Sequence, residues 1–167
     1  MNTETARLIL RRPTTADTPA LFEFLGDAKA MRHTHSDASL RACRRRIAVH
    51  EYRRRRDGYA PWTIASKLSG RIVGWGGLYD DPFDSGWGVE LGYYFHPAAW
   101  GQGYATELAT ACTARADGVL RLPELTAFAH PENTGSQRVL ENSGFAVVRF
   151  VPTMQRLLYK RQSRGRV

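Results

Sequence analysis

Three stretches of the chain carry residue types that could do chemistry. The first is the glycine-rich segment 100–105, WGQGYA, which follows a predicted strand and opens a predicted helix. Glycines let the backbone approach a ligand closely, and the free N–H groups and dipole of a helix N-terminus favour phosphate. The segment lacks the Gly-Lys-Ser/Thr of a nucleotide-binding loop and the spacing of a dinucleotide fingerprint. It predicts a phosphate-binding turn or a plain glycine-rich helix entry.

The second stretch is residues 87–95, WGVELGYYF, in which one carboxylate stands within an otherwise apolar strand. Val89, Leu91 and Phe95 alternate with the other positions, as expected for a strand with two different faces. A carboxylate is costly to bury without a partner. Glu90 is therefore either a solvent-facing residue on a half-exposed strand or a group kept for function.

The third stretch is residues 133–145, NTGSQRVLENSGF. Its pattern predicts an Asn/Thr turn, a capped amphipathic helix and a glycine that ends the helix. Val139, Leu140 and Phe145 are expected in the core.

The elements that must position these stretches follow a mixed order along the chain. One strand and two helices precede three strands of antiparallel type, after which come a helix, a strand, a helix and two strands. This order predicts a mixed α/β fold with a twisted sheet of about six or seven strands and about four helices. The predicted strands are 7–12, 60–67, 71–79, 88–96, 125–129, 145–151 and 153–160, and the predicted helices begin at Thr14 or Thr15 and cover about 38–56, 104–117 and 136–142.

Length and composition are those of one ordinary globular domain. The chain has 167 residues, 43% of them hydrophobic, and we expect a single domain over 1–167. Cys43 and Cys112 make neither a disulfide framework nor a zinc quartet, and we expect them to be buried in a cytoplasmic protein. The sequence contains no signal peptide pattern and no long apolar span, so no membrane partner is expected.

The formal charge of +8 is concentrated in two segments. Residues 41–56 hold eight arginines and one glutamate, and residues 160–167 hold four basic residues and no acid. We interpret them as a solvated helix face and a terminus, with a nearby anionic substrate or phosphate as the alternative. Basic and aromatic residues do not interleave as on an RNA-binding sheet, so nucleic acid is not the expected partner.

Taken together, the three stretches resemble the GCN5-related N-acetyltransferase (GNAT) superfamily, and most closely its RimJ/RimL-like branch. The resemblance covers about residues 7–160. It rests on TARLILRRPTTAD (5–17), IVGWGGL (72–78), VELGYYFHPAAWGQGYATE (89–107) and HPENTGSQRVLENSGF (130–145).

The resemblance implies that acetyl-CoA is the cosubstrate and that no metal is needed. Amides around Gln102–Thr106 would hold the CoA pyrophosphate, and backbone groups near Tyr94 and Phe95 would pair with the pantetheine arm where two strands splay apart. Trp100 stands where the broad superfamily has Arg or Gln. The implied cofactor-binding set is Tyr94, Phe95, Trp100, Gly101, Gln102, Gly103, Tyr104, Ala105, Thr106, Asn133 and Ser136.

The resemblance also implies catalytic roles. Glu90 matches the family's general base, which takes a proton from the incoming ammonium. Ser136 stands where many members have a tyrosine that protonates the leaving thiolate, and Tyr94 or water is the alternative acid. An amide near Phe95 could donate to the developing oxyanion.

The function expected from the sequence is therefore direct acetyl transfer to a primary amine. The acceptor is a peptide or protein N-terminus or a small-molecule amine, and a ribosomal partner stays open because of the arginine cluster. The alternative is a non-catalytic CoA-binding or ribosome- and RNA-associated module of the same fold. Both a monomer and a homodimer are compatible with the sequence.

Overall fold

The computed structural model describes residues 2–163, and its framework is one eight-stranded sheet in the order β1-β2-β3-β4-β5-β6-β8-β7. The sheet has one strand more than the sequence indicated. The additional strand, β1, is two residues long and is formed only by pairing with β2, so no periodic pattern marks it. The strands are β1 (Thr3–Glu4), β2 (Leu8–Arg11), β3 (Trp62–Ser66), β4 (Ile72–Asp80), β5 (Val89–Phe95), β6 (Glu124–Ala129), β7 (Ala146–Val151) and β8 (Arg156–Gln162).

Four α-helices flank the sheet, close to their predicted positions. In the arginine-rich helix, the Ser39 hydroxyl accepts from the N–H of Ala42 at 3.1 Å, and Gly58 ends the helix with φ 78°. Serine at an N-cap and a left-handed glycine after the last turn are common helix boundaries. The helices are α1 (Thr18–Leu25), α2 (Leu40–Asp57), α3 (Tyr104–Arg115) and α4 (Thr134–Asn142).

Each face of the sheet has its own apolar cluster. One cluster packs α1 and α2 against Trp75 and Tyr94, and the other packs α3 and α4 against Leu91, Phe95 and the opposite side of the sheet. Side chains alternate between faces along a strand. Glu90 and Tyr94 therefore project to the α1/α2 face, while Leu91 and Phe95 project to the α3/α4 face.

The sheet opens in its middle. β5 and β6 run parallel and share one paired position, Glu90 with Thr126, whereas every other neighbouring pair is antiparallel. Beyond that position, Leu91–Phe95 and Ala127–Ala129 diverge without pairing. The sheet thus consists of two antiparallel parts that meet at one β-bridge.

One predicted boundary is wrong for a local reason. The predicted last strand, 153–160, lies instead at Arg156–Gln162, because the hairpin turn extends to Gln155, which has φ 54°. The start of the first predicted helix is confirmed: Thr14 is the N-cap of a 3-10 turn (Thr15–Asp17), which continues into α1 at Thr18.

Both cysteines are buried and unbonded, as expected. Burial raises the pKa of the Cys43 thiol and of the Cys112 thiol to about 12, so each behaves as a small apolar side chain. Among residues 2–163, none of the helices is long and apolar enough to cross a membrane. The end of the basic tail, 164–167, lies outside the described residues.

Candidate active site

The opening between β5 and β6 leads into a cleft of about 530 Å³. Its lining comes from both faces of the sheet: Glu90 and Tyr94 from one, Tyr93 and Ser136 from the other. The cleft therefore passes from the α1/α2 face to the α3/α4 face of the sheet through the gap between β5 and β6. All the predicted site residues line this cleft except Gln102.

Backbone groups of β5 face the opening. The N–H of His96 donates to the carbonyl of Val73 at 2.8 Å, and Trp75 pairs with Tyr94 two positions along the ladder. In an antiparallel ladder, alternate residues direct N–H and C=O towards opposite neighbours. Tyr93 and Phe95 therefore direct their backbone groups into the opening. This corrects the expectation for Tyr94, whose backbone faces β4.

The glycine-rich segment forms the outer end of the cleft. Gly101 has φ 72° and Gly103 has φ 78°, a region that favours glycine, and Gly103 is the N-cap of α3. Arg7 supports this turn: its Nη1 donates to the carbonyl of Gln102 at 2.8 Å, and its Nε donates to Glu107 at 2.7 Å. The turn thus places the first backbone N–H groups of α3 at the cleft, where they can donate hydrogen bonds to an anion.

The side chains of Gln102 and Trp100 make hydrogen bonds to backbone carbonyls that the sequence did not indicate. The Gln102 amide donates to the carbonyl of Ala98 at 3.0 Å and does not line the cleft, so its side chain stabilises the turn. The Trp100 indole N–H donates to the carbonyl of Phe95 at 2.9 Å. That bond occupies the Phe95 carbonyl and leaves the Phe95 N–H available on the side of the opening.

Glu90 is 6% exposed and lies at the last paired position before the strands diverge. Burial raises its pKa to about 8, and the nearby carboxylates of Asp81 and Asp84 contribute in the same direction. Arg156 and a hydrogen bond with Tyr79 act in the opposite direction. A carboxyl group with a pKa near neutrality is suited to taking a proton from an ammonium group.

Tyr79 is a site residue that the sequence analysis missed. It lies opposite Glu90 in the β4–β5 ladder, and both residues line the cleft. Gly92 leaves the room that the tyrosine occupies, because a Cβ at this position would lie 2.5 Å from the Tyr79 hydroxyl. The contact could have been predicted from cross-strand pairing, but only with the register of β4 and β5, which the sequence alone did not provide.

Ser136 contacts a second tyrosine from the opposite face. The hydroxyl groups of Ser136 and Tyr93 lie 2.9 Å apart, and burial raises the pKa of Tyr93 to about 12. Asn133 caps α4 by accepting from the N–H of Ser136 at 3.1 Å. Its carboxamide oxygen is thereby used for the cap, and its amide hydrogens remain donors for a ligand in the cleft.

The tyrosine considered as the alternative acid is differently placed. Tyr94 stacks on Trp75 with ring centroids 6.1 Å apart, and Arg46 lies 5.8 Å from the Tyr94 ring centroid. Its ring belongs to the α1/α2 face, whereas Ser136 contacts Tyr93. The hydroxyl groups that meet on the α4 side are therefore those of Tyr93 and Ser136.

The connection between α1 and α2 closes one end of the cleft. Arg156 donates through Nη2 to the hydroxyl of Thr34 at 3.0 Å, and the rings of His33 and His130 stack with centroids 5.0 Å apart. His33, His130 and Glu132 bring potential metal ligands within 4.8 Å of one another. A guanidinium N–H of Arg32 already donates to His33 at 3.1 Å.

The arginine-rich helix does not contribute to this cleft. None of the described residues of α2 lines it. Arg46, Arg54 and Arg56 are paired with carboxylates on the same helix or next to it. The interpretation of α2 as a solvated face holds for its exposed arginines, whereas the side chains of Arg46 and Arg54 are only 13% and 12% exposed. The exposed arginines are Arg41, Arg44, Arg45, Arg55 and Arg56.

Comparison with known proteins defines the class. The sequence model of the acetyltransferase (GNAT) domain matches residues 7–146, and the chain belongs to this family. It is 28% identical to YkkB of Bacillus subtilis, an uncharacterized protein, over 84% of this chain and 82% of that protein. The expectation of a GNAT acetyltransferase is thus confirmed.

Solved structures show the same fold at low identity. An acetyltransferase from Agrobacterium tumefaciens superposes with a TM-score of 0.83 at 24% identity, covering 98% of this chain and 95% of that one. A GNAT-family acetyltransferase from Bacillus anthracis gives 0.79 at 21% identity, covering 97% and 98%. RimL, a ribosomal α-N-protein acetyltransferase solved with coenzyme A, gives 0.76 at 16% identity, covering 98% of each chain.

Proposed function

We propose that this protein transfers an acetyl group from acetyl-CoA directly to a primary amine. The acceptor is the N-terminal amine of a peptide or protein, or the amine of a small molecule. The observation that carries the proposal is the position of Glu90: a buried carboxyl with a pKa of about 8 stands where the sheet opens. Such a group can accept a proton from the amine near neutral pH.

The residues of the cleft fit acetyl-CoA. The first amides of α3, with Gly101 and Gly103 in left-handed conformation, suit a pyrophosphate. The unpaired backbone groups of Tyr93 suit the amides of a pantetheine arm, which would take the place of a strand, and the N–H of Phe95 stays available for the thioester end. Asn133 adds amide donors beside Ser136. The fit is to an extended ligand with an anionic end.

The proposed chemistry assigns one task to each group. Glu90 accepts a proton from the ammonium, so that the amine nitrogen can attack the acetyl carbonyl. The N–H of Phe95 donates to the carbonyl oxygen as it gains negative charge. When the C–S bond breaks, Ser136 donates a proton to the thiolate and is reprotonated from Tyr93. The attacking nitrogen loses its second proton as the tetrahedral intermediate collapses, and that proton returns through solvent to Tyr93. The products are an N-acetyl amine and the free thiol, with one net proton released from Glu90 to solvent.

A non-catalytic CoA-binding or RNA-associated module remains the alternative. Such a protein would need the glycine-rich turn but no buried carboxyl beside the opening. The Glu90–Tyr79 contact, made within a sheet interior, favours the enzyme because an unused buried carboxyl costs stability.

Calorimetric titration with acetyl-CoA, with NADH and ATP as controls, tests the proposal. We expect saturable one-to-one binding of acetyl-CoA alone. Gly103→Ala should weaken it about tenfold or more, because it strains the turn and directs a Cβ to 3.4 Å from Arg7. Gly58→Ala is the matched control, since Gly58 also has φ 78° but lies at the far end of α2. Absence of binding in a folded sample would overturn the proposal.

A further inference from the structure

The acceptor end of the cleft carries an arginine on the same face as Glu90. Ala129 pairs with Leu157, and both belong to the apolar cluster beneath α3 and α4. By strand alternation, Arg156 therefore projects to the opposite face, which is the face of Glu90. Both side chains line the cleft.

Only part of the hydrogen-bonding capacity of the Arg156 guanidinium is used within the protein. One guanidinium nitrogen donates to the hydroxyl of Thr34 at 3.0 Å. Across residues 2–163, no carboxylate lies within 4.0 Å of its side-chain nitrogens. A guanidinium has five N–H donors in a fork that suits a carboxylate, so the contact with Thr34 leaves donors for a ligand.

The surroundings of Arg156 are also cationic. Arg32 and His33 line the same end of the cleft, and the positive charge of Arg32 contributes to lowering the pKa of His33, after burial. The effect of Arg156 on the pKa of Glu90 indicates that the two charges act on each other within the cleft. A bare ammonium approaching Glu90 would be repelled by this arginine, whereas an ammonium with a neighbouring carboxylate would satisfy both residues.

We propose that the acceptor carries a carboxylate close to its primary amine and that Arg156 binds this carboxylate while Glu90 faces the ammonium. This inference rests on the proposed function. Two sources share the chemistry: a free α-amino acid, and a peptide whose first residue is aspartate or glutamate. Arg156 is then a specificity-determining residue, and the transfer step is the one already written, in which the C–N bond forms and the C–S bond breaks.

The test compares kcat/KM for acceptors that differ only in the carboxylate. One arm uses α-amino acids against their amides, and the other uses peptides beginning with Asp against peptides beginning with Asn. An amide lowers the pKa of the neighbouring amine and makes it a better nucleophile at neutral pH, so a preference for the acid would have to come from binding. We expect the carboxylate to raise kcat/KM by about 10–100-fold in at least one arm, as for hydrogen bonds to charged groups.

Variants separate the contact from its surroundings. Arg156→Met should reduce the acid-to-amide ratio towards one and leave the Kd of acetyl-CoA unchanged. Arg149→Met is the matched control, because Arg149 lies on β7 outside the cleft and should keep the ratio of the unmodified protein. The ratios are internal to each variant, so a small loss of stability does not alter them.

The outcomes also separate this inference from the proposed function. Acetyl transfer without a preference for the carboxylate in either arm, or a ratio unaffected by Arg156→Met, would overturn the inference and leave the proposed function standing. Binding of acetyl-CoA without transfer to any of these amines would overturn the inference, and the same result across a panel of small-molecule amines without a carboxylate would overturn the proposed function as well.

Discussion

The hydroxyl of Tyr93 lies 2.9 Å from Oγ of Ser136, and the two residues come from β5 and α4, which are 43 positions apart in sequence. The Tyr93 hydroxyl is also 3.3 Å from the backbone carbonyl of Ser136, so its one proton can be donated either to that carbonyl or to Oγ. Ser136 thus has a buried partner that can replace a proton it donates. We expect Ser136→Ala to lower kcat by about 10²-fold or more, within the range for general acid catalysis.

Tyr93→Phe should lower kcat less than Ser136→Ala does in the same steady-state assay. Without the tyrosine hydroxyl, water can still reprotonate the serine, although more slowly. Acetyl-CoA affinity, measured by calorimetry, serves as the control for both variants. A Tyr93→Phe defect larger than that of Ser136→Ala would instead identify the tyrosine as the direct proton donor.

Glu90→Gln should lower kcat by about 10²–10⁴-fold with acetyl-CoA affinity retained, because the amide cannot accept the ammonium proton. In the unmodified protein, Glu90 must be ionised to act, so kcat/KM should rise with pH up to an apparent pKa of about 8. In the variant, the rising limb should instead follow the deprotonation of the acceptor amine, so its position should change with the pKa of the amine used. Unchanged turnover at neutral pH would exclude Glu90 as the base.

Gly92→Ala tests the contact between Tyr79 and Glu90 without altering either residue. The added methyl would lie 2.5 Å from the Tyr79 hydroxyl and displace it, which removes a hydrogen bond that lowers the pKa of Glu90. The limb of the pH profile should therefore move to higher pH, as it should in Tyr79→Phe. Gly118→Ala, where a Cβ meets open space, should leave the profile in place.

Stability should depend on pH through His50. This residue is 5% exposed, and burial lowers its pKa to about 3, with Arg46, Arg53 and Arg54 acting in the same direction. Between about pH 3 and 6.5, the unfolded chain binds the extra proton, so the free energy of unfolding falls as the pH falls. Urea titrations of His50→Gln should show a shallower acid dependence. An equal slope in both proteins would contradict this assignment.

Asp17 should stabilise the fold more than an exposed ion pair does. It is 5% exposed and receives two hydrogen bonds of 2.7 Å from Arg11. Asp17→Ala should cost about 1–3 kcal/mol, because it removes charged hydrogen bonds from a buried carboxylate while the Arg11 side chain, which is 28% exposed, can be hydrated. Arg12→Ala, which removes a more exposed pair with Glu51, should cost about 0–1 kcal/mol. Similar losses in the two variants would be inconsistent with this difference in burial.

The sequence predicted the elements well where a local pattern defines them. The observed α2 lies close to its predicted range of about 38–56, and the alternation around Glu90 indicated β5, because periodicity depends on neighbouring residues. The two-residue β1 and the extended turn before β8 could not be predicted in this way. Their boundaries depend on which residues pair with the neighbouring strand, and no periodic pattern marks that register.

The residues of the candidate site also divide into those that a local pattern indicates and those that it does not. The positions of Glu90, Gly103 and Ser136 at one cleft agree with the resemblance to the GNAT family. Tyr79, Tyr93 and Arg156 were not predicted, because each enters the site through strand register or through a contact between elements far apart in sequence. The backbone of Phe95 could be anticipated, but the choice of Tyr93 rather than Tyr94 needed the hydrogen-bonding phase of the ladder.

The single bridge between Glu90 and Thr126 has a consequence for cooperative unfolding. With only that bridge, the part of the sheet from β1 to β5 and the part from β6 to β8 share little backbone pairing, and they are joined by side-chain packing between β5 and β6 and through the helices. A ligand hydrogen-bonded to the backbone of Tyr93 and Phe95 would supply hydrogen bonds that β5 lacks on the side facing β6. Amide hydrogen exchange should then slow together in both parts of the sheet, and the ligand-bound protein should unfold as a more tightly coupled unit.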